Sequence, residues 1–389
     1  AKEESINTIL QMAEYKKSGQ LKALIVTGCL AQRYRQEILD EIPEVDEVLG
    51  TTAYDKILDA VDQALKGKSG VILSDLNALP VLETTRLVTT GGHFAYLKIA
   101  EGCDKHCTYC IIPKIRGNFR SVPMERLVKE AEQLAEQGVK ELILVAQETT
   151  LYGKDLYGEK CLHKLVEELC KIAAIRWIRI LYCYPEEITN ELIEVMKREP
   201  KVCHYLDLPI QHASDGILKR MGRRTSKQEL IDIVKKLRKE IPDICLRTTL
   251  ITGFPGETQE QHEELMQFVD EMEFDRLGVF TYSPEEDTPA AIMPDQIEEE
   301  VKEDRQADLM ELQQEIAFDN AEKMIGREML VMIEGKVADE NAYVGRTYRD
   351  APNVDGLIFI NTEEELLSGD FAKVKITGAL EYDLIGELL

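Results

Sequence analysis

Apolar positions follow two rhythms that alternate along most of the chain. Lys2 to Lys17 repeats with a helical period and stops at Gly19, Leu21 to Thr27 is an unbroken apolar run, and Ala31 to Glu41 is helical again. Val45 to Leu49 then reads as a strand and Tyr54 to Lys66 as a helix, so residues 1–70 predict a small α/β domain. Residues 71–92, with Pro80, Thr84, Thr85, Thr89, Thr90, Gly91 and Gly92, carry neither period and read as a linker. From residue 93 strands are predicted at Phe94–Ala100, Glu141–Ala146, Trp177–Leu181, Tyr205–Pro209, Ile244–Ile251 and Leu277–Tyr282, with helices such as Met124–Gln137, Lys227–Glu240 and Gln259–Met272 between them. Six strand–helix units predict a partial (β/α)6 barrel, since a closed one needs eight. An acidic helix, Gln296–Asn320, completes this domain at residue 322. Residues 323–389 change to short strands separated by Gly335, Gly356, Gly369 and Gly378, the pattern of a small antiparallel β-barrel of the OB type.

In a barrel of parallel strands chemistry gathers at the strands' C-terminal ends, and those ends are marked here. The first runs into Cys103-x₃-Cys107-x₂-Cys110. Three thiolates on one loop can hold three irons of a four-iron, four-sulfur cluster and leave the fourth open to a small molecule. Structural zinc would need a fourth donor, and His106 within the same loop is badly placed for a tetrahedron. A disulfide framework is disfavoured by nine cysteines, an odd number, and no secretory leader is expected. The second strand leads into Gln147 and Glu148, amide and carboxylate groups suited to a polar ligand. The fifth leads into Gly253-Phe254-Pro255-Gly256, where glycines allow close approach of backbone to a flat ligand, and the sixth ends at Tyr282. Taken alone, the Gly253–Thr258 segment reads as a strand-to-helix turn, and its place after a strand of the barrel that carries the cysteines favours the ligand reading.

Composition narrows the partners. The 389 residues are 44% hydrophobic and 31% charged, and the formal net charge of −25 argues against direct nucleic-acid binding while favouring a basic protein partner. No apolar run reaches membrane-spanning length, so no membrane association and a cytoplasmic location are expected.

The segments Cys103–Pro113 and Arg247–Thr258, in this three-part layout, resemble the radical S-adenosylmethionine methylthiotransferases over essentially the whole chain. Leu208–Asp215 and Val344–Pro352 look like the branch that modifies small-subunit ribosomal protein twelve rather than the branch that modifies transfer-RNA adenosine. The resemblance implies a radical-SAM partial barrel followed by a TRAM domain at 323–389. It implies S-adenosylmethionine and a 4Fe–4S cluster on Cys103, Cys107 and Cys110. It further implies that a 5′-deoxyadenosyl radical takes hydrogen from the β-carbon of a target aspartate, and that an electron donor and the ribosomal protein or the ribosome are partners. Gln147 and Glu148 then become candidates for the cofactor's polar end, and Gly253, Phe254, Gly256 and the strand end from Phe280 to Tyr282 for its adenine side.

Family members carry a second 4Fe–4S cluster held by three cysteines, and Cys29 in Gly28-Cys29-Leu30-Ala31 matches the last of them. The other two would lie upstream of Ala1, so an N-terminal truncation is expected. Cys29 could instead be a buried structural thiol. Cys161, Cys170, Cys183, Cys203 and Cys245 share no spacing and read as core packing, while Arg116 and Arg120 could either meet a carboxylate or solvate the loop. The rival of another class is a non-catalytic metal-binding docking module.

Overall fold

The computed structural model describes residues 2–79, 86–338 and 340–389, and the linker positions Pro80, Thr84 and Thr85 lie outside them. The chain forms two compact units, one of Ala1–Thr85, Glu101–Asp104 and Ile111–Arg120 and the other of Arg86–Ala100, Lys105–Cys110 and Ser121–Leu389.

The first unit is a three-stranded parallel sheet of β1 (Ile25–Thr27), β2 (Glu47–Leu49) and β3 (Gly70–Ile72), in that order. Its helices are α1 (Lys2–Lys17), α2 (Cys29–Tyr34), α3 (Gln36–Glu41), α4 (Ile57–Leu65) and α5 (Ile112–Arg116). Ile9 and Ala13 of α1 pack on Leu24, Val26, Ala31, Ile38, Val45 and Val48. Two expectations change here. The helix predicted over Ala31–Glu41 breaks at Arg35, whose φ of 46° leaves the helical region. The linker expected from residue 71 begins later, because Gly70–Ile72 pairs with β2, and three residues are too few to show a period.

The second unit holds a six-stranded, all-parallel sheet of β4 (Phe94–Lys98), β5 (Glu141–Val145), β6 (Trp177–Ile180), β7 (Val202–Asp207), β8 (Cys245–Thr252) and β9 (Arg276–Thr281). The spatial order equals the chain order, as right-handed crossovers through helices produce in a barrel wall. These helices include α6 (Met124–Glu136), α7 (Leu162–Cys170), α8 (Asn190–Arg198), α9 (Lys227–Glu240), α10 (Gln259–Met272) and α11 (Glu299–Glu322). Ser226 and Thr258 open α9 and α10 with capping boxes, each satisfying two backbone donors of the first turn. Side chains alternate across the strands: Leu142, Leu144, Ile178, Ile180 and Leu206 are buried on the helix-covered side, and Phe94, Ile143, Trp177, Cys203, Tyr205 and Cys245 point inward.

β10 (Glu328–Lys336), β11 (Ala342–Arg346), β12 (Ile358–Asn361), β13 (Phe371–Leu380) and β14 (Asp383–Leu388) close a barrel in the order β10–β11–β12–β14–β13. All neighbours are antiparallel except β12 and β14, which run parallel. Met332 and Ala351 of this barrel, with Tyr348 and Phe371, join the inward residues of the parallel sheet in one apolar cluster. Buried charges tie the two together. Glu141 accepts from Arg179 Nε at 2.8 Å and from Arg346 Nη2 at 2.7 Å, while Arg346 Nε meets Glu334 at 2.5 Å and His93 Nε2 lies 2.8 Å from the other oxygen of Glu334. Burial pushes the Glu141 carboxyl up, and the two guanidiniums more than reverse it, so that it sits below the usual carboxylate range. The loop after β11 closes the N-terminal end of the sheet: Arg179 donates to Tyr348 O, Cys245 to Arg349 O, and Arg276 pairs with Asp350.

Candidate functional site

At the C-terminal ends of the strands in the second unit, the backbone after β4 is seated on the turn following Asp215–Arg220. Thr108 N donates to Met221 O at 2.9 Å and Thr108 Oγ1 to Arg220 O at 2.8 Å. Gly222 sits at φ 74° and passes close under His106 O. Cys110 N donates to Cys107 O, which turns the chain so that both thiols belong to one tight loop. Lys105 forms ion pairs with Glu187 and, at 3.4 Å, with Glu186, and its Nζ is 3.9 Å from Glu148.

Gln147 and Glu148 follow β5 as expected. Glu148 is fully buried and accepts from Thr150 N at 2.9 Å and from Thr150 Oγ1, whereas its Oε2 has no hydrogen-bond partner among the described residues. Burial raises its carboxyl to about 7. Sequence reading missed Tyr184, after β6, and Arg223, after the Asp215–Arg220 helix. Tyr184 Oη is 3.6 Å from Cys107 Sγ, and the Arg223 guanidinium lies 4.3 Å from the centre of its ring. Neither belongs to a recognisable motif; only the tertiary fold brings two distant loops to the same cysteine.

The Gly253–Thr258 segment is closely packed by side chains of this chain. Gly253 and Gly256 have φ of 68° and 78°, and a Cβ would strike Lys302 at the first and the Arg220 guanidinium at the second. The glycines therefore make room for this chain's own cations. Phe254 is fully buried and packs edge-on to Tyr109 at 6.4 Å and Tyr282 at 5.3 Å. Glu257 braces the turn by accepting from Gly253 N and Arg305. Phe280, two positions beyond Gly278 on the same face of β9, is an exposed aromatic at 62%.

In the first unit, Cys103 N donates to Gly117 O, and Asp104 accepts from Phe119 N at 3.0 Å. Gly102, at φ 79°, lies so near Asn118 O that a Cβ would be 2.1 Å away, so only glycine fits there. Arg116 resolves an open choice: its Nη2 donates to Cys29 Sγ at 3.1 Å and its Nη1 is 3.6 Å from Glu101. Arg120 instead donates to Ala78 O, Arg116 O and Asn118 O. All nine cysteines are thiols. Among the described residues no three His, Cys, Asp or Glu side chains are gathered around one point as for a single ion; a four-iron cluster makes a different demand, one thiolate per iron.

Three family models match: Radical SAM superfamily over residues 97–269, TRAM domain over 325–389, and Uncharacterized protein family UPF0004 over 1–50. The chain is 66% identical over 386 residues to a protein of Lachnoclostridium phytofermentans named ribosomal protein uS12 methylthiotransferase RimO, spanning 99% of this chain and 88% of that one. The chain belongs to this radical SAM methylthiotransferase family. The like-named protein of Desulfitobacterium hafniense is 50% identical, over 100% of this chain and 87% of that one. Among solved structures, the radical S-adenosylmethionine methyltransferase TsrM from Kitasatospora setae, with cobalamin and a [4Fe–4S] cluster bound, shares the fold at a TM-score of 0.54 and 13% identity, covering 69% of this chain and 59% of that one.

As a member of this family the chain is a transferase of the radical SAM class, and the residues described above suit its cofactors. Cys107 has a buried guanidinium close by, Arg223, whose Nε lacks a hydrogen-bond partner among the described residues. Glu148 Oε2 is a buried acceptor in the same condition. One is fit for an anionic cluster, the other for an ammonium group. Among the described residues no helix is long and apolar enough to cross a membrane.

Proposed function

We propose that this protein attaches a methylthio group to the β-carbon of an aspartate in ribosomal protein uS12, and does so in the cytoplasm, where ribosomes are. The observation that carries this reading is the 66% identity, over 99% of the chain, to a curated uS12 methylthiotransferase. Cys103, Cys107 and Cys110 would hold the radical-generating cluster, and Cys29, with Arg116 donating to its sulfur, would be one ligand of a second. When bound, the cluster and S-adenosylmethionine supply one-electron chemistry able to take hydrogen from an unactivated carbon.

The chain's residues do the rest. Glu148 would accept from the amino group of the cofactor, with Gln147 beside it in sequence and Lys105 holding Glu186 and Glu187 nearby. Phe280 would offer a ring to the adenine, while Gly253, Phe254, Gly256 and Tyr282 shape the wall behind it rather than contacting it. The apolar interior formed with the β10–β14 barrel excludes water from the lower part of the sheet. An external protein supplies the electron.

Anaerobic reconstitution with iron and sulfide, followed by S-adenosylmethionine and dithionite, tests the reading. The expected results are about four irons per radical-generating cluster, formation of 5′-deoxyadenosine, and loss of that cluster's iron and of the product in the Cys103→Ala, Cys107→Ala and Cys110→Ala variants. With all three ligands of the second cluster supplied, mass spectrometry of uS12 should show a methylthio addition on aspartate. Iron loading without 5′-deoxyadenosine, or loading that survives loss of all three cysteines, overturns the assignment.

A further inference from the structure

The surroundings of Cys107 contain more chemistry than ligation requires. Tyr184 follows β6 and is anchored from both sides of the backbone: its N donates to Thr150 Oγ1 at 3.2 Å, and its O accepts from Glu187 N at 3.0 Å. Its phenol reaches Cys107 Sγ at 3.6 Å. In a thiol–phenol pair either partner can donate, but a thiolate bound to iron has no proton left and can only accept. The hydroxyl would then point its proton at a ligand sulfur.

Two cations bear on the same ring. The Arg223 guanidinium is 4.3 Å and Lys105 Nζ 4.7 Å from its centre, and both side chains are buried. Cations against an aromatic face draw electron density from it, which strengthens the phenol as a donor. Arg223 is itself fixed, donating from Nη2 to Pro209 O at 3.0 Å and leaving Nε buried without a partner among the described residues. Lys105 has its charge matched by Glu186 and Glu187. Glu186 faces Arg223 as well, yet it is drawn to Lys105, so Arg223 is the buried cation with hydrogen-bonding capacity in reserve.

We propose that Tyr184, backed by Arg223, is a positioning residue that sets the reduction potential of the cluster held at Cys107. This rests on the cluster assignment above. Hydrogen bonds to ligand sulfur and nearby positive charge both favour the form that has gained an electron, and so raise the potential. The step is a one-electron gain by the cluster from an external reductant, with no bond made or broken. The pair would bring a poorly reducible centre within range of a protein donor.

Tyr184→Phe keeps the ring and the cation contacts and removes only the hydroxyl. In the full chain reconstituted with iron and sulfide, a dithionite-poised titration read by electron paramagnetic resonance should give a lower potential for this variant. The reduced-to-oxidised ratio at a fixed solution potential should fall about threefold, or about 28 mV for one electron at 59 mV per tenfold. Arg223→Gln should shift it in the same direction, and Arg223→Lys, which keeps the charge, should shift it less. Iron content should stay at the wild-type level in Tyr184→Phe, which separates tuning from a folding role. An unshifted potential in a fully loaded Tyr184→Phe overturns the inference alone. A wild-type protein that takes up no cluster on these cysteines overturns the cluster assignment, and this inference with it.

Discussion

Burial raises the Glu148 carboxyl to about 7, against the pull of Thr150 and Lys105. Its folded value is above its unfolded one, so the folded protein holds the extra proton between about 4.5 and 7. Stability is therefore full below that window and falls as pH rises through it, where a buried charge must form. Glu148→Gln removes the penalty: melting temperatures of variant and wild type should agree near pH 5, and the variant should be more stable at pH 8, by up to about 3 kcal/mol. Equal melting temperatures at pH 8 would mean that the carboxylate is already compensated. The price in activity should be large, because an amide cannot hold an ammonium group as a carboxylate does. The three cysteines were legible in sequence because their spacing is local. Tyr184 and Arg223 were not, since their meeting depends on two loops 39 positions apart arriving at one sulfur, as their numbers show.

At the level of elements, the six strands of the parallel sheet were legible because each carries an apolar run of sufficient length with a helix following it. β3 was lost because three residues cannot show a period, and the break at Arg35 because apolar spacing continues across it. The charged lock between the sheet and the β10–β14 barrel was invisible for another reason: Glu141 and Arg346 are ordinary polar letters in strands otherwise read as apolar, 205 positions apart. Arg346→Met would leave Glu141 with Arg179 alone and Glu334 without its guanidinium. Loss of one partner of a buried pair costs about 3–5 kcal/mol, so the midpoint of chemical denaturation should drop clearly. The double variant with Glu141→Gln should recover part of the loss. A drop no larger than that of a surface arginine would show that this charged pair does not hold the two barrels together.

For the whole molecule, the net charge of −25 bears, under the proposed function, on how a basic ribosomal protein would find it. Exposed acids such as Glu363, Glu364 and Glu365 between β12 and β13 contribute to that field. Attraction between opposite charges speeds encounter and is screened by salt. With uS12 as substrate, KM should rise several-fold on going from about 50 to about 200 mM salt, whereas 5′-deoxyadenosine formation in the absence of uS12 should hardly change. A KM indifferent to salt would leave the acidity to solubility.

The loop after β11 stops the sheet at its N-terminal end, with Tyr348, Arg349 and Asp350 bonded to residues of the parallel strands. A vessel stoppered at its base is filled and emptied by its mouth. Under the proposed reaction, small cofactor and bulky protein substrate would share that mouth, so the small one has to be seated before the large one covers it, and spent cofactor waits for the protein to leave. Turnover then acquires an order of arrival and departure imposed by the floor of the barrel, far from any reacting atom.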